Sequence, residues 1–91
     1  MKALIIKRDK SLVSGNLSYL PSAKLKPSSY FYLDNKKYQL RDVCSLIVEL
    51  PKKQGFNVWF KNKLGFISYR KFINKWQALY TSALEVVNHG I

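Results

Sequence analysis

Lys61, Lys63, Arg70, Lys71 and Lys75 crowd a stretch of chain around what reads as the start of its clearest helix. Ammonium and guanidinium groups beside the free N–H groups of a helix start are the chemistry of phosphate binding. Cations in that position oppose the helix dipole, at a cost of ~0.3–1 kcal/mol each when exposed. That cost is a reason to look for an anionic ligand. Lys36, Lys37 and Arg41 surround an equivalent turn earlier in the chain and extend the patch. Tyr30, Tyr32 and Trp59 alternate away from the apolar positions of their segments. Aromatic rings among cations on an open sheet stack the bases of single-stranded nucleic acid.

Other chemistries have less to work with. The single cysteine, Cys44, lies in the apolar run Val43–Val48, and the only histidine is His89. A thiol needs a base to act as a nucleophile, and one Cys with one His cannot build a zinc site. Cys44 therefore reads as a small core residue, and with no second cysteine for an internal disulfide the chain suits a reducing cytoplasm. The five acids are Asp9, Asp34, Asp42, Glu49 and Glu85. Their predicted places are turns, a helix first turn and exposed helical positions, which are ordinary solvated or capping roles. There is no Gly-rich phosphate loop. No enzymatic activity, cofactor or metal site is expected.

The charge balance gives these cations their weight. Sixteen Lys and Arg face five Asp and Glu, a net charge of +11 on 91 residues. Such a field attracts phosphates or acidic surfaces and destabilises the compact chain by self-repulsion. All sixteen cations lie between Lys2 and Lys75, whereas Trp76 to Ile91 contains one Glu and no Lys or Arg. That neutral, apolar end suits core packing or self-association, including a homodimer through the C-terminal helix. No run approaches the ~18 apolar residues of a membrane span. The four apolar residues Ala3–Ile6 are too few for a secretory leader and read as a first strand.

The elements that would position these residues fit one domain over 1–91. Residues 2–8 predict a strand, and Asp9-Lys10 and Ser14-Gly15-Asn16 predict turns. Residues 17–29, with two prolines and four serines, read as a surface loop pinned by Leu20 and Leu25. Tyr30–Leu33 and Lys37–Leu40 flank Asp34-Asn35-Lys36 as an aromatic hairpin. Phe31 and Leu33 share its inner face, with Tyr38 and Leu40, and Tyr30 and Tyr32 its outer one. Val43, Leu46, Ile47 and Leu50 have helical spacing, closed by Pro51 and Gly55, which favours a helix over the competing reading of Val43–Leu50 as a buried strand rich in Val and Ile.

A second hairpin follows. Phe56, Val58 and Phe60 alternate with Asn57, Trp59 and Lys61, Asn62-Lys63 turn the chain, and Leu64, Phe66 and Ile67 return. Ser68 then predicts an N-cap for a helix whose stripe runs through Tyr69, Phe72, Ile73, Trp76, Leu79, Tyr80, Ala83, Leu84 and Val87, with Asn88 or Gly90 as its C-cap. The expected fold is α+β: a small antiparallel sheet built from two hairpins, each followed by a helix packed on one face, with an N-terminal strand.

The expected function is binding of nucleic acid by a small basic protein. Lys36, Lys37, Arg41, Lys61, Lys63, Arg70, Lys71 and Lys75 would contact phosphates, and Tyr30, Tyr32 and Trp59 would stack bases. The alternative is a small interaction protein or inhibitor, of the kind phages and mobile elements make. It would dock on an acidic or nucleic-acid-binding surface of a host protein. Attachment to a membrane is not expected, because the polar face of the last helix is not Lys-rich along its length.

Overall fold

A computed structural model describes residues 1–18, 25–61 and 67–89, with the backbone alone at 61 and 83–89. The strands are β1 (Lys2–Lys7), β2 (Leu12–Asn16), β3 (Tyr30–Leu33), β4 (Lys36–Gln39), β5 (Val43–Glu49), β6 (Phe56–Lys61) and β7 (Ile67–Phe72). One helix, α1 (Lys75–His89), follows them. Five strands form an antiparallel sheet in the order β2-β1-β5-β6-β7, and β3 and β4 form a separate hairpin. Mostly antiparallel strands and a C-terminal helix make this a mixed α+β fold.

The sheet is covered on both faces. The β3–β4 hairpin contributes Phe31 and Leu33 to a core with Ala3, Ile5, Leu46, Val48 and Trp59. On the other face α1 lies across β5, β6 and β7, and Ala78 packs with Ile47, Val58 and Phe60. Strand β5 is the centre of this sandwich. Leu46 and Val48 point to the hairpin layer and Ser45 and Ile47 to the helix layer, where Ser45 Oγ donates to Ser82 Oγ at 3.2 Å.

The predicted helix over Val43–Leu50 is therefore a strand. Every side chain from Val43 to Val48 is buried, and a strand buried on both faces is a continuous apolar run that satisfies helical spacing by default. Three of the six residues in that run are Val or Ile, which suit a pleated surface. A register shift between Ile6 and Lys7 opposes Lys7 to Val43 and Ile6 to Ser45, leaving Cys44 as the extra residue of a bulge. The bulge returns Val43 to the hairpin-side core and leaves Cys44 packed on Ile6.

The last helix also starts later than Ser68 predicts. Ile67–Phe72 pairs along the whole of β6, and Tyr69 and Phe72, expected on the helical stripe, belong to that strand. The helix is capped by Asn74, whose Oδ1 accepts the Trp76 N–H at 2.8 Å. The arrangement of two hairpins each followed by a helix thus reduces, among the described residues, to a single helix.

The first hairpin forms, but its turn is Asp34-Asn35 alone: Lys36, expected in the turn, opens β4 opposite Leu33, and Leu40, expected in the strand, lies in the 3-10 turn after it. Asp34 and Asn35 have φ of 49° and 68°, the pair of left-handed residues that a two-residue turn matched to strand twist requires. The turn also joins the hairpin to the sheet. Asn16 N–H donates to Asp34 Oδ1 at 3.0 Å, Asp34 N–H donates to the Asn16 carbonyl at 3.0 Å, and Leu17 bridges to Leu33.

Ser14-Gly15-Asn16 is not the turn its composition suggests but part of β2. Gly15 is needed there because a Cβ would run into the Asp34 carboxylate. Replacing Asp34 with Ala should cost about 2 kcal/mol in urea unfolding, the value of one hydrogen bond plus a left-handed preference. Asp34→Asn keeps both properties and should be nearly neutral. Equal losses in the two variants would show that the joint does not depend on this bond.

At the β1–β2 turn, Asp9 accepts from the Ser11 hydroxyl at 2.6 Å and from the Ser11 N–H at 3.0 Å. The hydroxyl bond first, and the backbone bond second, hold its carboxyl below the ordinary value of 3.8. With the folded value depressed, this contribution is present above the unfolded pKa and is lost as pH falls through the folded one. The predicted turn Asn62-Lys63, the return residues Leu64 and Phe66, Leu20 and the cap Gly90 lie outside the described residues.

Candidate nucleic-acid interface

The outer face of the β3–β4 hairpin carries Tyr30 and Tyr32 on β3 and Lys37 on β4. Period-two alternation fixes this: Phe31 and Leu33 are drawn into the core, so their neighbours must point outward. Tyr30 is 51% exposed and Tyr32 39%. Their rings meet edge to face with centroids 6.2 Å apart. Lys37, opposite Tyr32 in the ladder, places its Nζ 4.2 Å from the Tyr30 centroid. A cation held over a ring in this way is worth about 0.5–1 kcal/mol at an exposed site and fixes both groups. Two partly exposed rings with a positive charge held over one of them can stack a base and hold its phosphate.

The remaining predicted residues are distributed more widely. Lys36 is at the tip of the same hairpin but shares the inner side with Tyr38, its Nζ 5.4 Å from that ring centroid. Arg41 is exposed in the 3-10 turn Leu40–Asp42 just after β4. Arg70 and Lys71 are both exposed, but on a strand rather than a helix start, so they point to opposite faces. Lys71 lies opposite Asn57 toward the hairpin layer, and Arg70 opposite Val58 toward the helix layer. Lys75 opens α1, and Lys61 ends β6. Lys63 lies outside the described residues. The cluster expected at a helix N-terminus is therefore split along the edge strand β7.

Trp59 does not join the outer aromatics. It is 0% exposed on the hairpin side of the sheet, its ring 5.2 Å from that of Tyr69. The alternation in β6 is real, but both faces of that strand are covered, so facing away from Val58 and Phe60 leads into a second core. Asn57 Oδ1 and Trp59 Nε1, both buried on this side, have no hydrogen-bond partner among the described residues. Cys44 is a buried free thiol. Among the described residues no three His, Cys, Asp or Glu side chains gather in a way that could hold a metal ion. No helix among them is long and apolar enough to cross a membrane.

Sequence reasoning missed two features. Gln39 stands opposite Tyr30 on the outer face, a place the alternation of β4 could have supplied. An apolar groove of about 220 Å³ lies on the helix side of the sheet, floored by Leu4, Ile47, Phe56 and Leu79 with Lys2, Glu49 and Lys75 at its rim. Its residues come from five elements, β1, β2, β5, β6 and α1, and no local pattern joins them.

The fold and this face together define a small basic α+β domain with a cation-bearing aromatic hairpin. Comparison with protein-family models, with curated proteins and with solved structures finds no match to this chain.

Proposed function

We propose that this protein binds nucleic acid, with single strands contacting the outer face of the β3–β4 hairpin. The observation that supports the reading is the exposed trio of Tyr30, Tyr32 and Lys37 in a chain of net charge +11. Tyr30 and Tyr32 supply stacking surfaces, and Lys37 neutralises a phosphate. Arg41, Lys36 and Lys71 add to the surrounding field, which sets affinity without choosing sequence. The role is binding and no residue is assigned to catalysis. The free thiol of Cys44 suits a cytoplasmic setting.

Titration of labelled single- and double-stranded DNA and RNA at three salt concentrations tests the proposal. Binding should weaken steeply with salt. Tyr30→Ala with Tyr32→Ala should weaken single-strand binding by about tenfold or more, since stacking is worth about 1–3 kcal/mol per base. Lys37→Glu should lower the salt slope by about one or more. An unchanged affinity in the double tyrosine variant would remove the hairpin from the interface.

The second reading, an interaction protein docking on an acidic protein surface, draws on the same exposed tyrosines, which are common anchors of protein interfaces. A partner recovered at one-to-one stoichiometry from nuclease-treated lysate, with no affinity for nucleic acid at low salt, would favour it.

A further inference from the structure

Helix α1 turns its largest apolar residues away from the molecule. Ala78 and Ser82 face the sheet and are fully buried, whereas Trp76 is 76% exposed, Tyr80 67%, and Ile73, just before the helix, 87%. The small residues let the helix approach a sheet already filled by Ile47, Val58 and Phe60. Trp76 and Tyr80 are one turn apart on the outward side. An exposed apolar stripe of this kind marks an interaction surface.

We propose that this surface pairs with the same surface of a second copy. Three observations select a second copy as the occupant. The first is charge. All sixteen Lys and Arg lie between Lys2 and Lys75, and the stripe through Trp76 and Tyr80 carries none. For a chain of net charge +11, a face of this kind is where like-charge repulsion between two copies is least. The second is shape. Lys75 and Leu79 line the 220 Å³ groove, so the groove lies against the same helix whose outward side carries Trp76. One surface thus holds both an apolar projection and an apolar hollow, the self-complementarity that a two-fold interface needs. The groove rim bears Lys2 and Lys75 but also Glu49, which lets opposite charges meet across the axis.

The third observation is area. Ile73, Trp76 and Tyr80 together expose roughly 400–500 Å² per copy, over half of the ~800 Å² per partner of a standard interface, before the groove is counted. The hairpin lies on the other side of the sheet. A dimer built on α1 therefore leaves the Tyr30–Tyr32 faces of both copies open, and two such faces would bind one strand with avidity.

Sedimentation velocity and light scattering on the full chain, from low micromolar to submillimolar concentration, test the pairing. The wild type should reach twice the monomer mass, and more readily as salt rises, because salt screens the remaining repulsion. Nucleic-acid binding has the opposite salt dependence, so the two proposals fail separately. Trp76 emission should shift to the blue with concentration while Trp59, already buried, contributes a constant background. Trp76→Glu with Tyr80→Glu should leave a monomer at every concentration. Trp76→Ala, which adds no charge, should weaken the dimer by about 30-fold or more, the effect of losing one interface anchor. Either a monomer throughout or a dimer unaffected by these variants would overturn the pairing. So would a Trp76 shift that appears only on adding anionic phospholipid vesicles to a protein that stays monomeric.

Discussion

Replacing Trp59 with alanine is expected to lower the unfolding free energy by about 3–5 kcal/mol, while replacing Trp76 changes that of the monomer by no more than about 0.5 kcal/mol. The two residues are chemically identical and differ only in surroundings. Trp59 is sealed between the sheet and the hairpin layer, against Leu46 and Tyr69. Its removal forfeits the largest fully buried side chain among the described residues and leaves a cavity that rigid strands cannot close. In a domain of this size stability is of order 5–15 kcal/mol, and each kcal/mol moves the melting temperature by about 4–8 °C. Trp59→Ala should therefore melt roughly 12–40 °C lower, or fail to fold at ambient temperature. Trp59→Phe should lose less, because it keeps a ring and removes the buried Nε1–H that has no partner among the described residues. Calorimetry of the three variants decides the matter. Equal effects at positions 59 and 76 would contradict the placement of both rings.

Gly55→Ala is expected to cost about 3 kcal/mol, a large effect for one added methyl group. Gly55 has φ of 114°, a backbone region closed to residues with a Cβ. The added Cβ would also press against the backbone carbonyl oxygen of Phe72, which cannot swing aside as a side chain could. The position closes the β5–β6 connection, where Leu50 N–H donates to the Gly55 carbonyl at 2.8 Å, and it abuts the end of β7. Lys52 and Lys53 in the same connection are left-handed, with φ of 57° and 55°, so the turn already carries residues ill suited to its shape. Replacing either lysine with glycine should stabilise the chain or leave it unchanged in urea unfolding, opposite in sign to Gly55→Ala. A neutral Gly55→Ala would mean that the connection relaxes freely.

The first hairpin was legible because most of what defines it is local. Asp34-Asn35-Lys36 between alternating aromatics marks the turn, and alternation fixes which face each tyrosine takes, whereas the register, with Lys36 in β4 rather than in the turn, was set by the pairing itself. The outward places of Tyr30 and Tyr32 follow from that alternation alone, and the ladder adds Lys37 opposite Tyr32. The grouping of Arg70, Lys71 and Lys75 was not legible, because it assumed a helix starting at Ser68. Ile67–Phe72 suits a strand and a helix start about equally in isolation. Pairing with β6 decided for the strand, and Asn74 then served as the cap. Gly15 shows the same limit in a single residue. Its composition context suggested a turn, and its actual reason is the Asp34 carboxylate beside it, 19 residues away along the chain.

By itself the sequence determined the charge and its confinement to the first 75 residues, the α+β class, and the inner and outer faces of the β3–β4 hairpin. These depend on composition, or on side-chain alternation over a few residues. Only the tertiary structure decided that Val43–Glu49 is the central strand, that Trp59 is buried and Trp76 exposed, and that the sheet is covered on both faces. A continuous apolar run fits either period, and a tryptophan's burial depends on what packs over it. Here the covering layers are the β3–β4 hairpin and α1. Hydrophobic attraction has no direction of its own, so the face each layer takes is set by the packing of segments far apart in the chain.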